Sequence, residues 1–244
     1  MGPLKRTLLL LLLLLLVGCG RSDPDAIPVD GSAPLAESAP LVAITFDDGP
    51  SSVNTPRLLD GLAQRDVKAT FFLVGSMAAD NMSLVRRMAE EGHQLALHTY
   101  DHSSQKGLTG LSESQFRAQV DTTRDLLTAL TEQTDFALRP PYGFVDDSVK
   151  LWANAPIILW SVDPEDWADR DTERIVNHIV NHAKDGDIIL LHDIFSSSVD
   201  AALRVIDALE ARGFQFVTVD ELFAARGITP EKGVVYESLP PHRG

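Results

Sequence analysis

From Leu41 onward, short apolar runs rich in β-branched and aromatic residues alternate with stretches of helical periodicity. The runs are Leu41–Phe46, Ala69–Val74, Gln94–His98, Phe136–Arg139, Ile157–Trp160, Ile188–His192 and Phe214–Val219. The helical stretches lie near Thr55–Gln64, Ser83–Glu91, Ser112–Leu130, Asp147–Ala153, Thr172–Lys184 and Ala201–Arg212. Local punctuation agrees with this division: Ser112 and Gln115 form a capping-box pattern, and Gly92 and Gly213 stand where a glycine ends a helix. Strands that alternate with helices imply a parallel α/β sheet, and roughly 190 residues suit a small, irregular (β/α) barrel of about seven strands better than an eightfold one. An open doubly wound sheet is the runner-up, disfavoured because no glycine-rich phosphate loop follows the first run.

The polar residues with chemical potential gather at the ends of these runs. Asp47-Asp48 follow the first, His98 ends the third, Arg139 the fourth, Asp163 and Asp166 follow the fifth, and His192 ends the sixth. In a parallel barrel those positions share the C-terminal rim, where such folds build active sites. His98 and His102 are four apart, and one carboxylate from Asp47-Asp48 completes an Asp-His-His set that leaves metal positions open. A single cysteine excludes multi-thiolate metal centres, so any metal here takes His, Asp or Glu. His178 and His182 share a helix face, but they flank an apolar stripe and lack the glutamate of helix-borne zinc motifs; they read as a solvated flank. His93 and His242 have no assembled partners. Arg139-Pro140-Pro141-Tyr142-Gly143 holds backbone rigid, as an amide aimed at an oxyanion requires.

Taken in order and spacing, Thr45-Phe46-Asp47-Asp48-Gly49-Pro50, His98 to His102, Arg139 to Gly143, Asp163 to Trp167 and Leu190-Leu191-His192 resemble the motifs of the NodB-homology polysaccharide deacetylases, carbohydrate esterase family 4. The resemblance runs from about Leu41 to Gly227 and implies a distorted (β/α) barrel. It implies that Asp48, His98 and His102 bind a divalent metal, zinc or else cobalt. It makes Asp47 the general base, oriented and tuned by Arg139, and gives the Tyr142 backbone N–H to the oxyanion. His192 becomes the general acid tuned by Asp166, while Trp167 and Leu190 line the pocket for the acetyl methyl. The implied reaction is hydrolysis of N-acetyl groups on a peptidoglycan, chitin-like or exopolysaccharide substrate. The competing readings are an O-acetyl esterase or small-amide hydrolase of the same fold, and an envelope glycan-binding protein without turnover. One departure is visible: Ser103 stands where the family often has a proline after the second histidine.

Residues 1–18 carry Lys5 and Arg6 and then the run Leu8 to Val17, which is too short to span a hydrocarbon core. Leu16-Val17-Gly18-Cys19 resembles a bacterial lipobox, with the only cysteine at the cleavage position. The expectation is a lipoprotein signal peptide (1–18), a Pro-, Ala- and Ser-rich tether (19–40), a catalytic domain (41–227) and a C-terminal tail (228–244), exported and held in the cell envelope by lipid on Cys19. With 21 basic against 35 acidic residues the net charge is −14, which offers no footprint for nucleic acid.

Overall fold

The first apolar run is the centre of the sheet: β1 (Leu41–Asp47) is buried along its whole length. A computed structural model describes residues 39–241, which lie in one compact unit. Cys19, the signal segment, the tether up to residue 38 and His242 fall outside the described residues. The other strands are β2 (Thr70–Val74), β3 (Gln94–Thr99), β4 (Ile157–Ile158), β5 (Asp187–His192), β6 (Gln215–Phe216) and β7 (Val235–Tyr236). The helices are α1 (Thr55–Gln64), α2 (Gly75–Asp80), α3 (Met82–Glu90), α4 (Glu113–Thr131), α5 (Asp147–Trp152), α6 (Thr172–His182), α7 (Ser196–Glu210) and α8 (Val219–Ala225). No helix among the described residues is long and apolar enough to cross a membrane.

All ladders within the main sheet are parallel, in the order β3-β2-β1-β5, with β6 joining the start of β1. The sheet continues beyond its two edges through single parallel bridges, Leu97 to Leu138, Leu138 to Ile157 and Val162 to Ile189. The α/β barrel is therefore distorted, its ladders interrupted between residues 138 and 162. Side chains alternate across β1. Val42, Ile44 and Phe46 join the large core that includes Leu58 and Leu62 of α1 and Val205 and Leu209 of α7. Leu41 and Ala43 join a second cluster with Phe72, Ala96, Ile158 and Ile188. By the same alternation Thr45 and Asp47 belong to the second face, so a polar pair continues an apolar file as the strand reaches the rim.

Several expected boundaries differ. The run Phe136–Arg139 forms no strand of its own: Leu138 alone bridges both neighbours, and Pro140-Pro141 end the pairing because neither has an N–H. The fifth expected strand shortens to β4, and the seventh to β6, because Thr218 and Glu221 form a capping box that starts α8. Helix α2 was not expected, and α7 begins five residues earlier than its pattern. Beyond residue 227 the chain pairs β7 with β4 and buries Leu239.

Candidate active site

The register of the sheet sets two site residues side by side, for Asp47 is the partner of His192 across β1 and β5. Asp47 is buried, and its Oδ1 accepts a 2.7 Å hydrogen bond from Arg139 Nη1. Arg139 is fully buried, and its head is spent on fixed acceptors: Nη1 also donates to Thr45 Oγ1, Nε to the Ile158 carbonyl and Nη2 to the Leu159 carbonyl. Its guanidinium lies 3.8 Å from the Phe72 ring centre. With Oδ1 held this way, Asp47 Oδ2 is left facing His98 Nε2 at 3.9 Å.

The chain turns sharply after Asp47, and Asp48 takes φ +71°, a left-handed conformation uncommon outside glycine. That turn brings Asp48 Oδ1 to 3.4 Å from His98 Nε2 and 3.6 Å from His102 Nε2. The three ligand atoms lie within 4.8 Å of one another. His98 Nδ1–H donates to the Arg139 carbonyl at 2.7 Å; a carbonyl only accepts, so the lone pair is on Nε2, facing the other two donors. Burial would raise the Asp48 pKa, but the surrounding imidazoles, His98 first and then His192 and His102, lower it to about 2. Asp48 Oδ1 is buried without a hydrogen-bond partner. A divalent cation fits these residues: one anionic oxygen and two imidazole nitrogens converge, and the cation would satisfy the orphaned carboxylate oxygen.

On the other side of Asp47, His192 Nδ1–H donates to Asp166 Oδ1 at 2.7 Å, and Asp166 Oδ2 accepts the His192 backbone N–H at 2.9 Å. Burial opposes the charged imidazole, but the Asp166 hydrogen bond and charge, with Asp47 and Asp48, raise its pKa to about 9. Asp47, Asp48, His98, His102 and His192 open into a cavity of about 310 Å³ that is also lined by Tyr142, Trp160, Asp163, Trp167 and Leu190. Tyr142 has φ +62° and packs its ring edge-on to His102, with centroids 5.1 Å apart. Pro140 and Pro141 lack an N–H, so the Tyr142 amide is the first backbone donor after Arg139. Leu190 is buried, whereas Trp167 is half exposed at the cavity mouth.

Every site residue named from the sequence within 39–241 thus meets in one place. His178 and His182 stack on each other on α6 and belong to no three-donor group among the described residues. His93 lies elsewhere, buried, with Nδ1 accepting the Ala69 N–H. The sequence reading missed Thr45, Trp160 and Asp193. Thr45 could have been found from the two-residue period of its strand, and Trp160 ends an apolar run much as His98 does.

Fold and site together define a parallel α/β domain with a candidate Asp-His-His metal centre and, at the ends of two paired strands, a buried aspartate beside a half-buried histidine. The chain belongs to the polysaccharide deacetylase family, whose model matches residues 36–156. It is 39% identical, over 79% of its length, to the peptidoglycan-N-acetylglucosamine deacetylase PgdA of Listeria monocytogenes, of which it spans 41%. It is 39% identical to a chitooligosaccharide deacetylase of Sinorhizobium fredii, with 72% of this chain and 88% of that one covered. Among solved structures, a family 4 acetyl xylan esterase from Clostridium thermocellum in complex with a cobalt ion aligns with a TM-score of 0.77 at 31% identity, covering 82% of this chain and 99% of that chain.

Proposed function

We propose that this chain is a metal-dependent hydrolase that removes N-linked acetyl groups from an N-acetylated cell-wall polysaccharide and releases acetate. The observation that carries this reading is the placement of Asp47 and His192 on paired strands beside the converging donors of Asp48, His98 and His102. Those three residues would hold the cation, zinc being the first choice and cobalt the second. When bound, it supplies Lewis acidity, which lowers the pKa of water from 15.7 to about 7 and polarises a carbonyl.

The remaining work falls to the chain itself. Asp47, anchored through Oδ1 by Arg139, presents Oδ2 as the base that takes the proton of the attacking water. The Tyr142 N–H donates to the oxygen on which negative charge develops, a contribution of about 3–4 kcal/mol for a donor of this kind. His192, held as an imidazolium by Asp166, gives its proton to the departing nitrogen, without which an amide cannot expel its amine. Trp167 and Leu190 would enclose the acetyl methyl.

The test is acetate release from N-acetylglucosamine oligomers and peptidoglycan, measured with metal content. Asp47→Asn is expected to retain metal and lose turnover by about 10²–10⁴-fold, whereas His98→Ala is expected to lose metal. Full activity in Asp47→Asn would sink the assignment. The likeness to an acetyl xylan esterase makes O-acetyl cleavage the second reading, and an acetylated xylan in the same assay separates the two. Binding of glycan with no acetate released under zinc or cobalt would instead favour a non-catalytic envelope protein. We also propose export and lipid anchoring at Cys19, supported by the basic, apolar and cysteine-terminated order of residues 1–19. Cys19→Ser is then expected to abolish incorporation of labelled lipid.

A further inference from the structure

Asp193 is fully buried beside the site, takes no part in the chemistry above, and leaves Oδ1 without a hydrogen-bond partner. Its other oxygen, Oδ2, accepts a hydrogen bond from the hydroxyl of Thr55, itself buried at the start of α1. That hydroxyl in turn accepts the Ser51 N–H at 2.7 Å. The carboxyl also lies flat against Gly49: a Cβ there would sit 2.2 Å from Asp193 Oδ1. Two further bonds fasten the same turn, from Val74 N–H to the Gly49 carbonyl at 3.1 Å and from Asn54 Nδ2 to the Ile194 carbonyl at 2.8 Å. The segment Gly49–Asn54 is therefore tied to the end of β2 on one side and to the residues after β5 on the other.

The residue just before this fastened segment is Asp48. Asp48 sits at φ +71°, a conformation uncommon outside glycine that contacts around the turn help to hold. We propose that Asp193 is a positioning residue for Asp48: through Thr55 and Gly49 it fixes the turn that aims the Asp48 carboxylate at the histidine pair. The inference rests on the reading that Asp48, His98 and His102 hold a divalent cation. An oxygen acceptor is what the position requires. Oδ2 accepts the hydrogen bond of the Thr55 hydroxyl and so turns the hydroxyl's lone pairs toward Ser51 N–H, and a planar carboxyl fits where a branched side chain would strike Gly49. With alanine at 193 the Thr55 hydroxyl is buried with no acceptor and a void opens under the turn.

The experiment is titration of zinc into metal-free wild type, Asp193→Ala, Asp193→Asn and Thr55→Val, with the melting temperature of each metal-free protein recorded alongside. Asp193→Ala is expected to weaken zinc binding by about 10–100-fold, the usual range when a group that orients a ligand is removed. Asp193→Asn keeps the acceptor and is expected to bind zinc as the wild type does. A lower melting temperature in Asp193→Ala with unchanged zinc affinity would make the residue merely structural and overturn the proposal. Equal loss in the alanine and asparagine variants overturns it too, since the hydrogen-bond acceptor would then not be what matters. If Asp193→Ala fails to fold, Thr55→Val, which removes the hydroxyl at nearly constant volume, carries the same expected loss, and wild-type affinity there overturns the proposal. A wild type that binds no zinc refutes the metal reading and this inference with it, whereas zinc binding that is indifferent to residues 55 and 193 refutes this inference alone.

Discussion

Arg139 shows how much of this site is one buried ion pair. Burial pushes its pKa below the ordinary arginine value while Asp47 opposes that shift, and its donors reach two side chains and two carbonyls. Arg139→Leu would strand the Asp47 carboxylate in a buried environment, and a loss of about 3–5 kcal/mol is expected in urea unfolding. Arg139→Lys is expected to rescue little, since one ammonium group cannot reach four acceptors in a fork. His93 is the opposite case, a buried histidine whose anionic neighbour, Glu91 at 3.8 Å from Nε2, does not offset the cost of burial. Burial, followed by the charge of Lys68, lowers its pKa to about 4. Its folded-state pKa lies below the unfolded value near 6.5, so the unfolded chain binds the extra proton between pH 6.5 and 4 and stability falls as pH drops through that window. The cost reaches on the order of 3 kcal/mol at pH 4. His93→Asn, whose Oδ1 can still accept the Ala69 N–H, is expected to lose less stability than wild type between pH 7 and 4.5, as read from urea midpoints. At this scale the sequence was legible where a residue type is unusual at a run end: Asp47, Asp48, His98, Arg139 and His192 all announce themselves in this way. Thr45 and Asp193 did not, because their roles depend on which atoms of distant segments they touch.

At the scale of elements, hydrophobic period and capping located β1, β2, β3 and β5 to within a residue or two, because each is a continuous apolar run buried on both faces. The same signal overstated the fourth run, where two prolines withdraw the donors a strand needs, and it could not see β7, whose two residues pair only because β4 offers an edge. That late strand belongs to a segment more firmly held than a tail. Tyr236 packs edge-on to Phe223 at 4.8 Å, the Leu239 N–H donates to the Gly186 carbonyl at 2.7 Å, and Arg226 Nε donates to the Leu239 carbonyl. Gly186 permits this contact twice over. Its φ is +90°, and a Cβ would meet the Leu239 carbonyl oxygen at 2.1 Å. Gly186→Ala is therefore expected to detach residues 235–241, expose Leu239 at a cost of about 1.5–3 kcal/mol, and open that segment to limited proteolysis. Acetate release at room temperature should change little, since the site stands at the opposite ends of the strands.

For the whole molecule, the separation between scaffold and site has a thermodynamic consequence. None of the three candidate metal donors belongs to either apolar cluster, and all three come from strand ends and the turns just beyond them. The metal-free protein is accordingly expected to stay folded, and the cation to act as a ligand of the native state. At a free concentration one hundred times its Kd, a cation bound only by the folded chain adds about 2.7 kcal/mol. For a domain of this size that is a rise of roughly 5–11 °C in melting temperature. Calorimetry of chelator-treated protein before and after zinc addition measures the rise, and His98→Ala should abolish it while leaving the metal-free transition in place. The net charge of −14 adds little to this difference, because exposed charges are screened within about 10 Å at 0.1 M salt. A zinc-induced shift that survives in His98→Ala would mean that the cation binds those surface carboxylates instead, and the reading of the rim as the metal centre would fall with it.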